Sequence, residues 1–147
     1  MTRITAKLTS GMAVQLTNGR HEWHADEPLE AGGTDTGPNP YELLLGSLAA
    51  CTCVTISWYC QHKGLPLESV STAYDFTRVH ADDCKDCDIP DRGYFDKITS
   101  NVHIEGDFDA AQRKRLAQIA ERCPVHKTLA HGVAFEDNAT FSSRSES

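Results

Sequence analysis

The chain has 147 residues, with 14 Lys and Arg against 21 Asp and Glu and a formal net charge of −7. That length suits one domain able to bury a core without disulfide staples, and the acidic balance argues against a nucleic-acid backbone as partner. The longest basic run, Arg113-Lys-Arg115, reads as one solvated helix face.

The first thirty residues read as a β-meander. Ile4, Ala6 and Leu8 alternate with polar neighbours, Met12, Val14 and Leu16 do the same after Ser10-Gly11, and Asn18-Gly19 signals a hairpin into a third strand through Trp23. The Met1-Thr-Arg-Ile-Thr start lacks the apolar core of a secretory signal, so a cytoplasmic protein is expected. In a reducing compartment the six cysteines are expected to be thiols, metal ligands or catalytic groups.

Residues 26–40 are a loop by composition. Asn39 is a good N-cap, Pro40 suits the first helical position, and Glu42 completes a capping-box spacing; Gly64 and Pro66 mark the far end. A helix over residues 40–63 follows, about 36 Å long. Residues 43–60 carry no charge, but Gly46, Ser47, Thr52, Thr55 and Ser57 dilute the apolar run and no basic cluster flanks it. We read it as a buried helix and not a membrane span. Because it is apolar on nearly every side, it calls for burial on nearly every side, and a second subunit is expected to cover part of it.

Val70 to Val79 suggests a strand, and Ile98, Val102 and Ile104 suggest another. Asp109 with Gln112 opens a second helix whose apolar residues Leu116, Ile119, Ala120 and Cys123 keep helical spacing. Pro124 interrupts it, a short third helix starts near Val125, and Phe135 to Phe141 reads as a last strand before a disordered tail over about residues 142–147. The whole chain, 1–147, is one expected domain of α+β class.

Each helical residue advances about 100°, so Cys51 shares a face with Leu44, Leu48, Thr55 and Trp58, while Cys53 and Cys60 lie opposite. A mid-helix cysteine gains little from the helix dipole, so a reactive Cys51 needs a cation or hydrogen-bond donor from elsewhere, and Trp58 offers an apolar wall. Cys123, before Pro124, is placed to cap the next helix, where free backbone N–H groups favour a thiolate; His126 and Lys127 stand close. The alternative is that both cysteines are small buried hydrophobes. His80-x-x-x-Cys84-x-x-Cys87 has a spacing that zinc accepts, with His103 or Asp83 to complete it through folding; a redox Cys-x-x-Cys and an idle solvated loop are the other readings.

The words Gly37-Pro-Asn-Pro-Tyr-Glu-Leu-Leu-Leu, Cys51-Thr and Arg122-Cys123-Pro-Val-His, with Ala25-Asp-Glu-Pro upstream, resemble the OsmC/Ohr family of thiol peroxidases, in its OsmC-like branch. The resemblance implies an OsmC-like fold, with curved antiparallel sheets around long central helices in an intertwined homodimer, and a role in peroxide stress. It also implies that Cys51 is oxidised to a sulfenic acid by an organic hydroperoxide, that Cys123 condenses with it to a disulfide, and that a dithiol such as a lipoylated protein restores both. The family glutamate after the Asn-Pro pair stands here one residue later, as Glu42 with Tyr41 in its place, and Arg20 is the candidate for its partner arginine. No cofactor is required, zinc at His80, Cys84 and Cys87 being the exception to test. Two other readings stay open: a non-catalytic zinc- or small-molecule-binding dimer on the same scaffold, and a structural or regulatory dimer.

Overall fold

The computed structural model describes residues 1–80 and 93–143. Three short antiparallel strands, β1 (Thr5–Lys7), β2 (Val14–Thr17) and β3 (Glu22–Ala25), form the expected meander in the order β1-β2-β3. The hairpin at Asn18-Gly19 is wider than a two-residue turn. Pairing ends at Thr17 and Glu22, and the Asn18 side chain takes over the loop by accepting from the Arg20 and His21 amides at 2.9 and 2.8 Å.

The segment after β3 is organised by one carboxylate. Asp26, 1% exposed, accepts from the Thr34 and Thr36 hydroxyls at 2.6 and 2.7 Å and from the Glu27 amide at 2.8 Å. These bonds, the Thr34 hydroxyl foremost, hold its carboxyl well below the usual carboxylate range. His24 Nε2–H adds a bond to the Thr36 carbonyl at 2.6 Å. Gly33 is required for this tight fold-back, since a Cβ there would lie 1.9 Å from the Glu27 carbonyl oxygen.

That loop delivers the chain to α1 (Pro40–Lys63), whose bounds are those expected from its caps. The Asn39 side chain accepts from the Glu42 amide at 2.9 Å, so that half of the capping box forms. Gly64 ends the helix at φ 64°, a left-handed value that lets its N–H reach the last carbonyls.

Two long antiparallel strands follow, β4 (Leu67–His80) and β5 (Tyr94–Gly106). Val70, Thr72, Tyr74 and Phe76 lie opposite Ile104, Val102, Ser100 and Ile98 on the face that meets α1. There the Tyr41 and Phe76 rings pack at 4.7 Å, and Thr52 bonds Tyr74. β5 begins earlier than the aliphatic pattern suggested, because Tyr94 and Phe95 extend the pairing to His80 and Val79.

Helix α2 (Ala110–Ala120) opens with the full Asp109–Gln112 capping box and lays Leu116 against Ile56, Cys60 and Phe108. Ile56 and Leu116 are closed to solvent, and burial of side chains of this kind stabilises by roughly 1.5–3 kcal/mol each. Helix α3 (Pro124–His131) then folds back on α1. The expected strand between Phe135 and Phe141 does not form. Residues 133–143 have no regular structure, Phe135 and Phe141 are exposed, and apolar alternation makes a strand only where a neighbouring edge accepts it.

α1 is long and apolar enough to cross a membrane by length and composition. In this chain it buries one stripe, Leu48, Thr52, Ile56 and Cys60, one residue per turn. Val54 and Trp58, on the other side, are 67% and 59% exposed.

Candidate functional site

Cys51 stands at the edge of the buried stripe of α1 and is half-buried, and the turn from α2 into α3 carries Cys123, closed to solvent, to the same place. The reason is local. Pro124 cannot continue α2 but suits the first position of a new helix, so Cys123 takes extended angles, φ −64° and ψ 146°, and becomes the N-cap of α3. Its sulfur accepts the His126 amide at 3.3 Å, as a serine or aspartate oxygen would at that position.

The neighbouring amide of the same helix end, Val125 N–H, acts on the Cys51 sulfur in favour of its thiolate, and the Cys123 side chain acts on the same sulfur. Two thiols far apart in sequence therefore share one helix N-terminus. Burial is the largest influence on Cys51 and pushes its pKa up, and the Cys123 sulfur adds to the rise; Val125 N–H and the Thr55 hydroxyl oppose them. Thr55 has a single hydrogen, which it donates to the Cys51 carbonyl at 2.7 Å, so turning it to a thiolate gives up that bond. Among the described residues, no cation is one of the groups acting on Cys51.

Arg20 and Glu42 are not brought to Cys51 within this chain. Arg20 is exposed at the β2–β3 hairpin. Glu42 is exposed on the first turn of α1, nine residues before Cys51 and so about 14 Å from it along the axis. Neither forms an ion pair among the described residues. Tyr41 is occupied with Phe76. Trp58 stacks on His62 at 3.9 Å and is exposed, on the side of α1 away from the buried stripe.

Cys84 and Cys87 lie outside the described residues, as does the His80 side chain, whose backbone ends β4 opposite Tyr94. Among the described residues no three His, Cys, Asp or Glu side chains are grouped to hold a metal.

An open cavity of about 240 Å³ lies between α1, α3 and the β4–β5 sheet, lined by Leu48, Tyr74, Ile98, His126 and Leu129. A larger groove of about 530 Å³ between β5 and α2 meets it at Ser100 and His126. The hydrogen bond at the cavity wall between Thr52 and Tyr74, 2.7 Å long, was not singled out by the sequence reading. Its one signal there is a polar residue following Cys51 on the stripe that α1 buries.

The sequence model described as OsmC-like protein matches residues 33–137, which contain both Cys51 and Cys123. Solved structures agree in fold. An organic hydroperoxide resistance protein of Legionella pneumophila is 23% identical, with a TM-score of 0.59 over 86% of this chain and 87% of that one. An OsmC-like protein of Mycoplasma pneumoniae is 21% identical, with a TM-score of 0.64 over 88% and 87%. An organic hydroperoxide resistance protein of Bacillus subtilis is 20% identical, with a TM-score of 0.56 over 86% and 88%. Comparison with curated protein sequences finds no match. With the family's sequence pattern spanning both cysteines and its mixed α and antiparallel β architecture around them, the chain belongs to the OsmC-like family.

Proposed function

We propose that the protein reduces organic hydroperoxides through Cys51 and Cys123. The observation that carries the reading is the meeting of these two thiols at the N-terminus of α3, with Val125 N–H on one sulfur and His126 N–H on the other. The Cys51 thiolate attacks the terminal oxygen of ROOH; an S–O bond forms, the O–O bond breaks, and ROH leaves with Cys51 as sulfenic acid. Cys123 then attacks the Cys51 sulfur, and water leaves as the disulfide forms. An external dithiol, such as a lipoylated protein, returns both thiols by exchange.

Burial opposes the thiolate that this cycle needs, and the single chain sets no cation beside Cys51 among its described residues. A second copy answers both this need and the uncovered side of α1, where Val54 and Trp58 stand in solvent. A homodimer packed on that face therefore belongs to the proposal, with Arg20 of either copy as the cation to test. Sedimentation at micromolar concentration is expected to give a dimer, and a stable monomer would remove this part of the account.

The direct test is oxidation of the reduced protein by cumene or tert-butyl hydroperoxide. Rapid loss of two thiols per chain is expected, abolished in Cys51→Ser; a Cys51→Ser protein that keeps the wild-type rate would refute the assignment.

A further inference from the structure

Breaking an O–O bond releases an alkoxide, which needs a proton as it leaves, and the cycle above names no donor for it. A polar pair that begins at the residue after Cys51 offers one. Thr52 follows Cys51 on α1, is closed to solvent, and its hydroxyl lies 2.7 Å from the Tyr74 hydroxyl. Either oxygen can donate in that bond, but the two arrangements differ in what they leave behind.

Among the described residues Thr52 has no other hydrogen-bond partner, whereas Thr55 and Ser47 on the same helix each donate to a backbone carbonyl. If Tyr74 donated, the Thr52 hydrogen would be buried without an acceptor, at a cost that native interiors avoid. If Thr52 donates, its hydrogen is satisfied and the phenolic hydrogen of Tyr74 is left for the cavity it lines. That cavity also touches Leu48, one turn before Cys51, and His126, whose amide holds the Cys123 sulfur. At about 240 Å³ it exceeds the ~30 Å³ share of one water several-fold, leaving room for an alkyl group.

We propose that Tyr74, oriented by Thr52, is a further catalytic residue, donating its phenolic proton to the departing alkoxide. The proposal rests on the peroxidase reading. In the step, the Cys51 thiolate takes the terminal OH of ROOH, the O–O bond breaks, and RO⁻ takes the Tyr74 proton to leave as ROH. Tyrosinate carries the negative charge that began on sulfur, and solvent reprotonates it.

The test compares two oxidants. tert-Butyl hydroperoxide expels a strongly basic alkoxide and needs the acid; peracetic acid expels acetate and does not. In Tyr74→Phe the second-order rate of Cys51 oxidation is expected to fall about 100-fold or more with the alkyl hydroperoxide and to hold with the peracid. Alkylation of Cys51 by iodoacetamide, which expels no oxygen, is expected to hold as well. Thr52→Val should reproduce the selective loss more weakly and Thr52→Ser restore it. Equal losses with both oxidants, or none with either, would overturn the role of Tyr74 while leaving the peroxidase reading standing. A wild type that peracid oxidises and alkyl hydroperoxides do not would overturn both.

Discussion

Cys123 is asked to do two things, to cap α3 and to resolve a sulfenic acid, and two substitutions separate them. Serine is among the best N-cap residues, so in Cys123→Ser its oxygen takes over the His126 amide that the sulfur holds at 3.3 Å. Cys123→Ala removes the acceptor, and loss of an N-cap costs about 0.5–2 kcal/mol. For a chain of this size 1 kcal/mol moves the melting temperature by about 2–4 °C, so the alanine variant is expected to melt about 1–8 °C below wild type and the serine variant close to it. Chemically the two should behave alike. After one equivalent of cumene hydroperoxide, wild type is expected to lose two thiols per chain, and each variant only Cys51, held as a sulfenic acid that dimedone traps. Thermal melts with thiol counts read both roles. Equal melting of the two variants would refute the cap, and a second thiol lost in either would refute Cys123 as the resolving partner.

Asp26 predicts the acid limb of stability. Its folded pKa lies below its unfolded value, so its stabilisation is fully present above about pH 4 and is lost as the pH falls further; Asp26→Asn should flatten that limb, and an unchanged acid titration would contradict the cage. Within one chain the shift at Cys51 runs upward, so in Arg20→Ala, which removes the proposed cation, the thiolate fraction, and with it iodoacetamide alkylation of the reduced protein, should still be rising past about pH 8.5, with the wild-type profile at lower pH. Adding Cys123→Ser should draw the Arg20→Ala profile toward lower pH, since it removes the sulfur that adds to the rise; an Arg20→Ala profile that coincides with wild type would contradict Arg20 as the cation. Leu116, 1% exposed in the core, should cost about 2–5 kcal/mol as Leu116→Ala in urea titration, and a loss under about 1 kcal/mol would mean that α2 is not packed as described.

Elements whose signals are local were legible in the sequence. The caps of α1 and α2, the alternation in β2 and the proline behind Cys123 each act within a few residues, and each element starts near where those signals put it, although α2 ends at Ala120, short of the Cys123 that its apolar spacing reached. What depends on partners distant in sequence was not legible. The Asp26 cage needs Thr34 and Thr36 to fold back, and no spacing marks that. The alternation at residues 135–141 has a strand's pattern but pairs with no edge among the described residues. The meeting of Cys51 and Cys123 was visible through family resemblance alone. Spacing alone left both cysteines open to a bland reading as buried hydrophobes, and the shared end of α3 that joins them exists only once α1 and α3 have packed.

The central claim is that these two thiols form one redox pair, and peptide mapping of the reduced protein after one equivalent of cumene hydroperoxide tests it most directly. The account predicts fast loss of two thiols per chain and a single new disulfide joining Cys51 to Cys123. A disulfide through Cys53 or Cys60, or six thiols intact, would contradict it.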